Sequence, residues 1–293
     1  MKIGVIYPQT ELQGDPDAVY RIGRAVEELG YDYLLAYDHV LGATHDREPK
    51  LNGPYTDKHP FHDPFVMFAY LAAITQRIEL TCGILILPQR QTALVARQAA
   101  DLDLLSRQRF RLGIGTGWNP VEYEALGQDF DSRGKRADEQ IGLLRRLWTE
   151  PLVTFEGAFD RIDRAALNPR PRRSIPIWVG GFADAAFRRG ARLGDGFIFA
   201  GSRSPMSESV ARLRQLLKEA GHSESGFGLE LIMQRAKTPD KVAETLARWR
   251  DAGGSHATVT TMGQHFATIE QHVDHMKRVA DAIRKAGLGL SGG

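Results

Sequence analysis

The sequence has one cysteine, little net charge and no long apolar run. Cys82 has no second cysteine with which to form a disulfide, and it lies in the apolar run IELTCGILIL, so we interpret it as a buried, unreactive thiol in a reducing compartment. A formal net charge of +2 offers no strong field to recruit nucleic acid or a membrane surface. No window approaches the roughly 18 consecutive apolar residues of a membrane span, and the initial run MKIGVIYPQ is too short for a signal peptide. We therefore expect a soluble, cytoplasmic protein that binds neither nucleic acid nor membranes.

Several signatures of enzyme chemistry are also missing. Neither GxGxxG after the first apolar run nor GxxxxGK[ST] occurs, which excludes the usual dinucleotide and P-loop sites. The absence of a Gly-x-Ser-x-Gly elbow and of a usable Cys-His pair argues against acyl transfer. The histidines that could form a metal site fall in one segment: His39, His45, His59 and His62. No other strand end offers histidines or paired carboxylates, so we predict no metal ion.

Eight short apolar runs alternate with helical patterns. The runs span residues 2–7, 31–38, 78–87, 109–115, 175–181, 196–200, 227–233 and 256–262. Such nearly continuous apolar character is typical of parallel strands covered on both faces. Several of the predicted helices begin with an N-cap residue followed by proline at the first helical position. These pairs are Asp15-Pro16, Asp63-Pro64, Ser204-Pro205 and Thr238-Pro239. Eight strand–helix units predict an α/β protein, a single-domain (β/α)8 TIM barrel over residues 1–293, with a doubly wound open sheet as the alternative.

Two segments exceed a minimal barrel. Residues 39–62 form a long polar loop after the second strand, and loops of this length are usually functional. Residues 151–174, an insertion before the fifth strand, contain a possible hairpin, LVTFEGAFDRI. Residues 288–293 are expected to form a frayed tail.

Glycines follow several of the predicted strands. In a barrel of this kind the active site lies at the C-terminal ends of the strands. Glycine-rich turns occupy three of these ends: Gly115-Thr116-Gly117, Gly180-Gly181 and Gly201-Ser202-Arg203. Because glycine lets the backbone approach a ligand and offer N–H groups to phosphate, the pattern suggests a phosphorylated cofactor.

The second strand ends in Asp38-His39, and Trp118 follows the Gly-Thr-Gly turn. His39 can titrate near neutral pH, so it is either a catalytic group or a hydrogen-bonded structural residue. Trp118 either plugs the barrel rim or forms a wall for an aromatic ring system or a substrate.

At these residues the sequence resembles the bacterial luciferase-like superfamily of flavin- and deazaflavin-dependent oxidoreductases, especially the branch that uses the deazaflavin coenzyme F420. The resemblance covers nearly the whole chain. It rests on ELGYDYLLAYDHV (28–40), TCGILILPQRQTALVARQAADLDLLSRQRFRLGIGTGW (81–118), RGKRADEQIGLLRRLWTE (133–150), IPIWVGG (175–181) and GARLGDGFI (190–198). It implies hydride transfer between the cofactor and a small organic substrate.

The resemblance also implies residue roles. His39 would lie beside the reactive ring and move a proton, with Asp38 orienting it. Gly83 and Ile84 match a bulge that often holds a non-prolyl cis peptide behind the ring. The positions that match the phosphate side of the cofactor are Gly115, Thr116, Gly117, Gly180 and Gly181.

The resemblance leaves the substrate and the cofactor open. Trp118 stands where some sugar-oxidising relatives carry a glutamate, which argues against a sugar, while Glu122 is near enough to belong to the substrate pocket. A flavin supports monooxygenation with oxygen, whereas a deazaflavin transfers only hydride. An FMN-dependent monooxygenase, a non-catalytic flavin-binding barrel and a metal-dependent hydrolase are therefore the alternatives. The family also implies a homodimer.

Overall fold

The computed structural model describes residues 1–201, 205–235 and 237–290, in which strands and helices alternate along the chain. The strands are β1 (Lys2–Ile6), β2 (Tyr33–Ala36), β3 (Glu79–Cys82), β4 (Leu85–Ile86), β5 (Phe110–Gly115), β6 (Val153–Glu156), β7 (Arg161–Ala165), β8 (Ile177–Gly180), β9 (Gly196–Phe199), β10 (Gly228–Ile232) and β11 (His256–Val259). The helices are α1 (Pro16–Glu28), α2 (Pro64–Ile74), α3 (Thr92–Leu105), α4 (Pro120–Ala125), α5 (Arg133–Thr149), α6 (Asp184–Leu193), α7 (Met206–Glu219), α8 (Pro239–Asp251) and α9 (Ile269–Lys285).

The main sheet closes into a barrel. Its order is β3-β2-β1-β11-β10-β9-β8-β5-β4, and β5 also pairs with β3, so that no open edge remains between them. All of these pairings are parallel, and β3 and β4 act as one interrupted barrel strand. The predicted eight-stranded TIM barrel is confirmed, and the open sheet is excluded because the sheet closes.

The third barrel strand is not the continuous run that its apolar residues 78–87 predict. The Gly83–Ile84 peptide bond is cis and separates β3 from β4. A short 3₁₀ turn, Leu87–Gln89, then ends the strand. The cis bond that the family resemblance implies at these two residues is therefore present in the structure.

The helix-start signals act in two different ways. The Asp15 side chain accepts a hydrogen bond from the N–H of Asp17, and the Asp63 side chain accepts from the N–H groups of Phe65 and Val66. Thr238 makes no such side-chain hydrogen bond, although Pro239 does begin α8. The expected cap at Ser204 and the turn residues Ser202 and Arg203 lie outside the described residues.

Both expected insertions are present. The chain from Tyr37 to Asp63 forms a long connection between β2 and α2. In the second insertion β6 and β7 pair antiparallel, which confirms the hairpin. The frayed-tail prediction is wrong for residues 288–290, because Leu288 and Leu290 are buried in the core; residues 291–293 lie outside the described residues.

Charged and aromatic side chains fill the N-terminal end of the barrel. Arg111 is buried and pairs with Glu79 and Glu230, with nitrogen–oxygen distances of 2.7 Å to each. Its guanidinium lies 4.1 Å from the ring centroid of Trp178. Glu79 is the first residue of β3, Arg111 the second of β5 and Glu230 the middle residue of β10, so this cluster leaves the C-terminal end of the barrel open.

Candidate active site

A cavity of about 870 Å³ lies at the C-terminal ends of the barrel strands. Its walls include the residues to which the family resemblance assigns cofactor contacts: Asp38, His39, Gly83, Ile84, Gly115, Thr116, Gly117, Gly180 and Gly181. Gly201, from the third predicted glycine turn, does not line it. Trp118 lines the same cavity. The structure thus brings together residues from four barrel strands, while their contacts with a cofactor stay predictions.

The glycines around the cavity have a packing role that the sequence does not reveal. A Cβ atom at Gly115 would lie 2.6 Å from Cδ1 of Ile84, and one at Gly180 would lie 2.7 Å from Cγ2 of the same side chain. Gly117 has a φ of +64°, in the left-handed region, and a Cβ there would lie 2.8 Å from Cγ2 of Ile86. A side chain at any of these positions would displace one of the two isoleucines, whether or not the glycines also contact a phosphate.

His39 is held by Glu122. The Nδ1 atom of His39 lies 3.2 Å from each carboxylate oxygen of Glu122. Both side chains are well buried, with 7% of the His39 side chain and none of the Glu122 side chain exposed. The N–H groups of Val40 and Leu41 donate to Oε1 of Glu122 at 2.8 and 3.1 Å. Nδ1 therefore faces the protein, and Nε2 is the ring nitrogen available to the cavity.

Asp38 does not orient His39 through its carboxylate, so that expectation is wrong. Its Oδ1 accepts a hydrogen bond from Nη2 of Arg90 at 2.7 Å, and its Oδ2 accepts from the N–H of Ile86 at 2.9 Å. Burial raises the pKa of Asp38 above its ordinary value, although the Arg90 guanidinium opposes that rise. Asp38 thus ties the end of β2 to β4, whereas Glu122 contacts the histidine ring.

Glu122 also departs from its expected place in the substrate pocket, because it lies behind His39 and is not part of the cavity wall. Asn119 caps α4 by accepting the N–H of Val121 at 3.1 Å, and this places Glu122 in the first turn. The hydroxyl of Tyr123 donates to the carbonyl of Thr116 at 2.8 Å and fixes the same turn. The sequence signal for this placement is Asn119-Pro120, a helix start three residues before the acid.

Aromatic side chains surround His39 on the loop side of the cavity. The centroid of the His39 ring lies 4.8 Å from that of Phe61, 5.2 Å from that of Tyr55 and 5.7 Å from that of Trp118. Burial raises the pKa of Tyr55 to about 12, so its hydroxyl stays neutral near pH 7. Trp118 was predictable from the sequence, whereas Tyr55 and Phe61 were not, because their only signal is their position in the 39–62 loop.

A second wall of the cavity has the chemistry of an anion site. The N-termini of α5 and α6 form part of it, and neither Ser132 nor Ala183 caps its helix with a side-chain hydrogen bond. Arg133 and Arg189 line the same wall, and Nη2 of Arg189 donates to the carbonyl of Gly134 at 2.9 Å. The helix dipoles and the Arg133 guanidinium favour a phosphate here, while the Arg189 guanidinium is also paired with Asp138. Asp131 adds one carboxylate to this wall.

Metal and thiol chemistry have no visible site in the part of the chain that the structure describes. Within those ranges, His, Cys, Asp and Glu side chains do not converge in any group of three or more that could hold a metal ion. Cys82 is buried, and burial raises the pKa of its thiol well above the ordinary value. Among the described helices, none combines the length and the apolar character needed to cross a membrane.

Known proteins resemble this chain over most of its length. An uncharacterized protein of Mycobacterium tuberculosis (strain ATCC 25618 / H37Rv) is 34% identical over 273 residues, which cover 89% of this chain and 93% of that protein. Pyrimidine monooxygenase RutA of Allorhizobium ampelinum is 30% identical over 76% of this chain and 60% of its own length. An F420-dependent glucose-6-phosphate dehydrogenase of Nakamurella multipartita is 31% identical over 68% of this chain and 56% of its own length.

Two solved structures show the same fold. Monooxygenase RslO1 from Streptomyces bottropensis superposes with a TM-score of 0.80 at 20% identity, covering 97% of this chain and 99% of its own. An F420-dependent secondary alcohol dehydrogenase, in complex with an F420-acetone adduct, gives a TM-score of 0.79 at 18% identity with the same coverage. Residues 1–288 match the family model described as luciferase-like monooxygenase. The chain therefore belongs to the luciferase-like monooxygenase family and is an oxidoreductase of that type.

Proposed function

We propose that this protein is a coenzyme F420-dependent oxidoreductase that transfers hydride between the deazaflavin and a small organic substrate carrying a hydroxyl or carbonyl group. The observation that carries the proposal is the arrangement of His39. One ring nitrogen is held by a buried carboxylate and the other is available to a cavity large enough for a cofactor and a substrate. A proton-transfer group in this position suits hydride transfer to or from an alcohol carbon.

The residues of the cavity fit a phosphorylated, ring-bearing cofactor. The helix N-termini with Arg133 and Arg189 would hold its phosphate side. Ile84 offers a flat apolar face, because Gly115 and Gly180 leave its side chain room against the barrel wall. When bound, the deazaflavin supplies a two-electron carrier that accepts or donates hydride.

In the oxidative direction, the substrate carbon loses a hydride and its hydroxyl loses a proton. Nε2 of His39 takes that proton, and the substrate becomes a carbonyl compound. In the reductive direction the same nitrogen returns the proton to the carbonyl oxygen as the hydride arrives at the carbon. Glu122, on the far side of the ring, stabilises the charge that His39 gains.

The loop side of the cavity selects for an apolar or flat substrate. Tyr37, Tyr55 and Trp118 form this wall, and burial keeps both tyrosine hydroxyls neutral by raising their pKa. Large aromatic walls with few polar groups bind apolar surface and fix orientation through single hydrogen bonds. We therefore propose that sugar phosphates are poor substrates.

The relatives support both the proposal and its main alternative. The F420-dependent glucose-6-phosphate dehydrogenase at 31% identity favours the deazaflavin. The pyrimidine monooxygenase at 30% identity favours the alternative, a monooxygenase that uses reduced FMN and oxygen. The cavity keeps about 870 Å³ open with Pro54 and Tyr55 of the long loop on its wall, which favours a catalyst over a non-catalytic flavin-binding barrel.

Equilibrium titration with oxidised F420 and with oxidised FMN, followed by fluorescence, distinguishes the two cofactors. We expect binding of F420 in the micromolar range, about −8 kcal/mol, and at least about tenfold weaker binding of FMN. Tighter binding of FMN would overturn the proposal in favour of the monooxygenase.

Single-turnover hydride transfer by His39→Ala tests the role of the histidine. We expect a rate reduced by about 100-fold or more, the usual contribution of a general acid or base. His222→Ala is the matched control, because His222 is exposed and does not line the cavity. An unchanged rate in His39→Ala would remove His39 from the mechanism.

We further propose that the protein acts as a cytoplasmic homodimer. Large apolar side chains are exposed on three consecutive helices, α1 to α3: Tyr20, Val66, Tyr70, Leu94 and Leu105. Because α1 packs on α2 and α2 on α3, these side chains lie on neighbouring helices, and exposed apolar surface of this kind is typical of an interface between subunits. A single, buried cysteine suits the reducing cytoplasm.

A further inference from the structure

Glu122 contacts three consecutive residues that follow β2. Both of its oxygens face Nδ1 of His39, and Oε1 also accepts the N–H groups of Val40 and Leu41. Glu122 acts as an acceptor toward both backbone N–H groups, and as a carboxylate in this role it has no hydrogen to donate, so we infer that the proton between Glu122 and His39 belongs to Nδ1. This holds for the neutral ring and for the charged ring alike, and it leaves Nε2 as the nitrogen that exchanges a proton with the cavity.

We propose that Glu122 is a positioning residue with two effects: it fixes the tautomer of His39, and it anchors the first residues of the 39–62 loop over the cavity. The part of this proposal that concerns reaction rate rests on the proposed function. The part that concerns the tautomer and the loop does not, because it follows from contacts within this chain.

The turn that carries Glu122 is rigid enough for this role. Asn119 caps α4, and the Tyr123 hydroxyl closes the turn onto the carbonyl of Thr116. Phe61 and Trp118 contact the His39 ring edge-on. The ring is thus confined by packing, while the carboxylate decides which of its nitrogens carries the proton.

The start of the loop depends on the same carboxylate. Val40 and Leu41 are 41% and 49% exposed, so burial does little to hold them. Their backbone N–H groups are instead fixed by Oε1 of Glu122. Trp118, four residues before Glu122, packs on Gly53 in the other arm of the loop. One turn therefore holds both arms of the loop.

Two further carboxylates of the described residues, Asp38 and Asp63, are both held by Arg90. Asp38 is adjacent in sequence, but Arg90 and the N–H of Ile86 occupy its two oxygens. Asp63 is bound to Arg90 as well. Removing the charge at residue 122 would therefore leave Nδ1 without a carboxylate.

The tautomer of His39 is tested in the protein without any cofactor. In Glu122→Gln, Oε1 keeps the N–H groups of Val40 and Leu41, and the amide NH₂ takes the place of Oε2. The NH₂ group only donates, so Nδ1 becomes the acceptor and the proton moves to Nε2. Nitrogen-15 NMR of the imidazole, at a pH where the ring is neutral, distinguishes the two forms, and the resonances are assigned by their loss in His39→Ala.

We expect the Nδ1–H form in the unmodified protein and in Glu124→Gln, and the Nε2–H form in Glu122→Gln. Glu124 is a matched control because it lies on the same helix and is exposed. The same tautomer in all three proteins, or the Nε2–H form in the unmodified protein, would overturn the proposal.

Kinetic measurements separate the effect of Glu122 on the His39 tautomer from its effect on the loop. In Glu122→Gln we expect single-turnover hydride transfer to fall by about 100-fold or more, with the KM for substrate and the dissociation constant for F420 changed by less than about twofold. In Glu122→Ala, which also releases Val40 and Leu41, we expect the KM to rise as well. An unchanged rate in Glu122→Gln would overturn the proposal.

If the unmodified protein transfers no hydride to F420, the proposed function fails, and the NMR result still decides the role of Glu122.

Discussion

The indole of Trp118 lies against the backbone of Gly53, where a Cβ atom would come within 2.1 Å of the indole Cζ3. Trp118 follows β5 at the cavity mouth, and Gly53 lies in the 39–62 loop. Such a separation is far below normal contact, so either the indole or the loop must move to admit any side chain at residue 53. The path of the loop over the cavity therefore requires a glycine there.

We expect Gly53→Ala to lower kcat/KM by up to about 100-fold, because displacement of Trp118 or of the loop misplaces the substrate. Steady-state kinetics with the substrate identified for the enzyme would measure this. Gly142→Ala is a suitable control, since a Cβ there meets nothing within 4 Å on the exposed side of α5. Unchanged kinetics in Gly53→Ala would contradict the idea that this contact sets the loop position.

The charges inside the barrel make a prediction about stability. Arg111→Met removes the cation shared by Glu79 and Glu230 and leaves Glu230 buried without its partner. Breaking a buried ion pair in this way costs about 3–5 kcal/mol of unfolding free energy. Urea denaturation measures the loss, and Arg164→Met, which removes the exposed pair with Asp163, should change stability little. Equal losses in the two variants would show that burial does not set the cost.

His256 predicts a pH dependence of stability. Burial, together with the nearby Arg111 charge, lowers the pKa of His256 from 6.5 to about 2. Above pH 6.5 the His256 ring is neutral in both the folded and the unfolded states, so it does not lower the free energy of unfolding. As the pH falls below 6.5 the unfolded chain binds a proton that the folded protein excludes, so stability is lost progressively down to about pH 2.

At pH 5 this loss amounts to about 2 kcal/mol relative to pH 7. We therefore expect the decrease in unfolding free energy between pH 7 and pH 5 to be smaller by about that amount in His256→Gln than in the unmodified protein. The exposed His222→Gln should keep the original decrease. An identical pH slope in all three proteins would show that His256 titrates normally in the fold.

A substitution on the exposed face of α2 tests the proposed homodimer. Val66, with 71% of its surface exposed, is the residue we would replace, because Val66→Lys places a charge in the proposed dimer interface. We expect sedimentation analysis to show a dimer for the unmodified protein and a monomer for this variant. Leu152→Lys, on the exposed β6 insertion, should leave the dimer intact. A monomeric unmodified protein would refute the homodimer.

The barrel could be predicted from the sequence because its strands are buried on both faces and read as uninterrupted apolar runs. The break at Gly83–Ile84 could not be read from that pattern, since the residues on both sides of it are equally apolar. Here the family resemblance, and not periodicity, indicated the cis bond. The strands were also predicted too long: of the predicted strand 31–38, only Tyr33–Ala36 forms β2.

The position of the candidate site was predictable, but its contacts were not. Strand order places Asp38, Gly115 and Gly180 at one end of the barrel, and the structure agrees. Which carboxylate reaches His39 depends on where side chains point: Asp38 turns toward Arg90, while Glu122 arrives from a different element. Long-range contacts of this kind leave no local pattern in a single sequence.

The 39–62 loop is attached through backbone and glycine contacts at residues 40, 41 and 53 and through Tyr55 and Phe61, whose rings pack on His39. Residues 46–50, between these attachments, are mostly exposed, so they can vary in sequence while the cavity keeps its cover. Ile84 with its glycines, in contrast, belongs to the barrel and tolerates little change. For engineering, this separates the cover of the cavity from its chemistry: libraries that randomise residues 46–50 should change the outer surface of the loop without disturbing His39, its aromatic neighbours or the Ile84 wall.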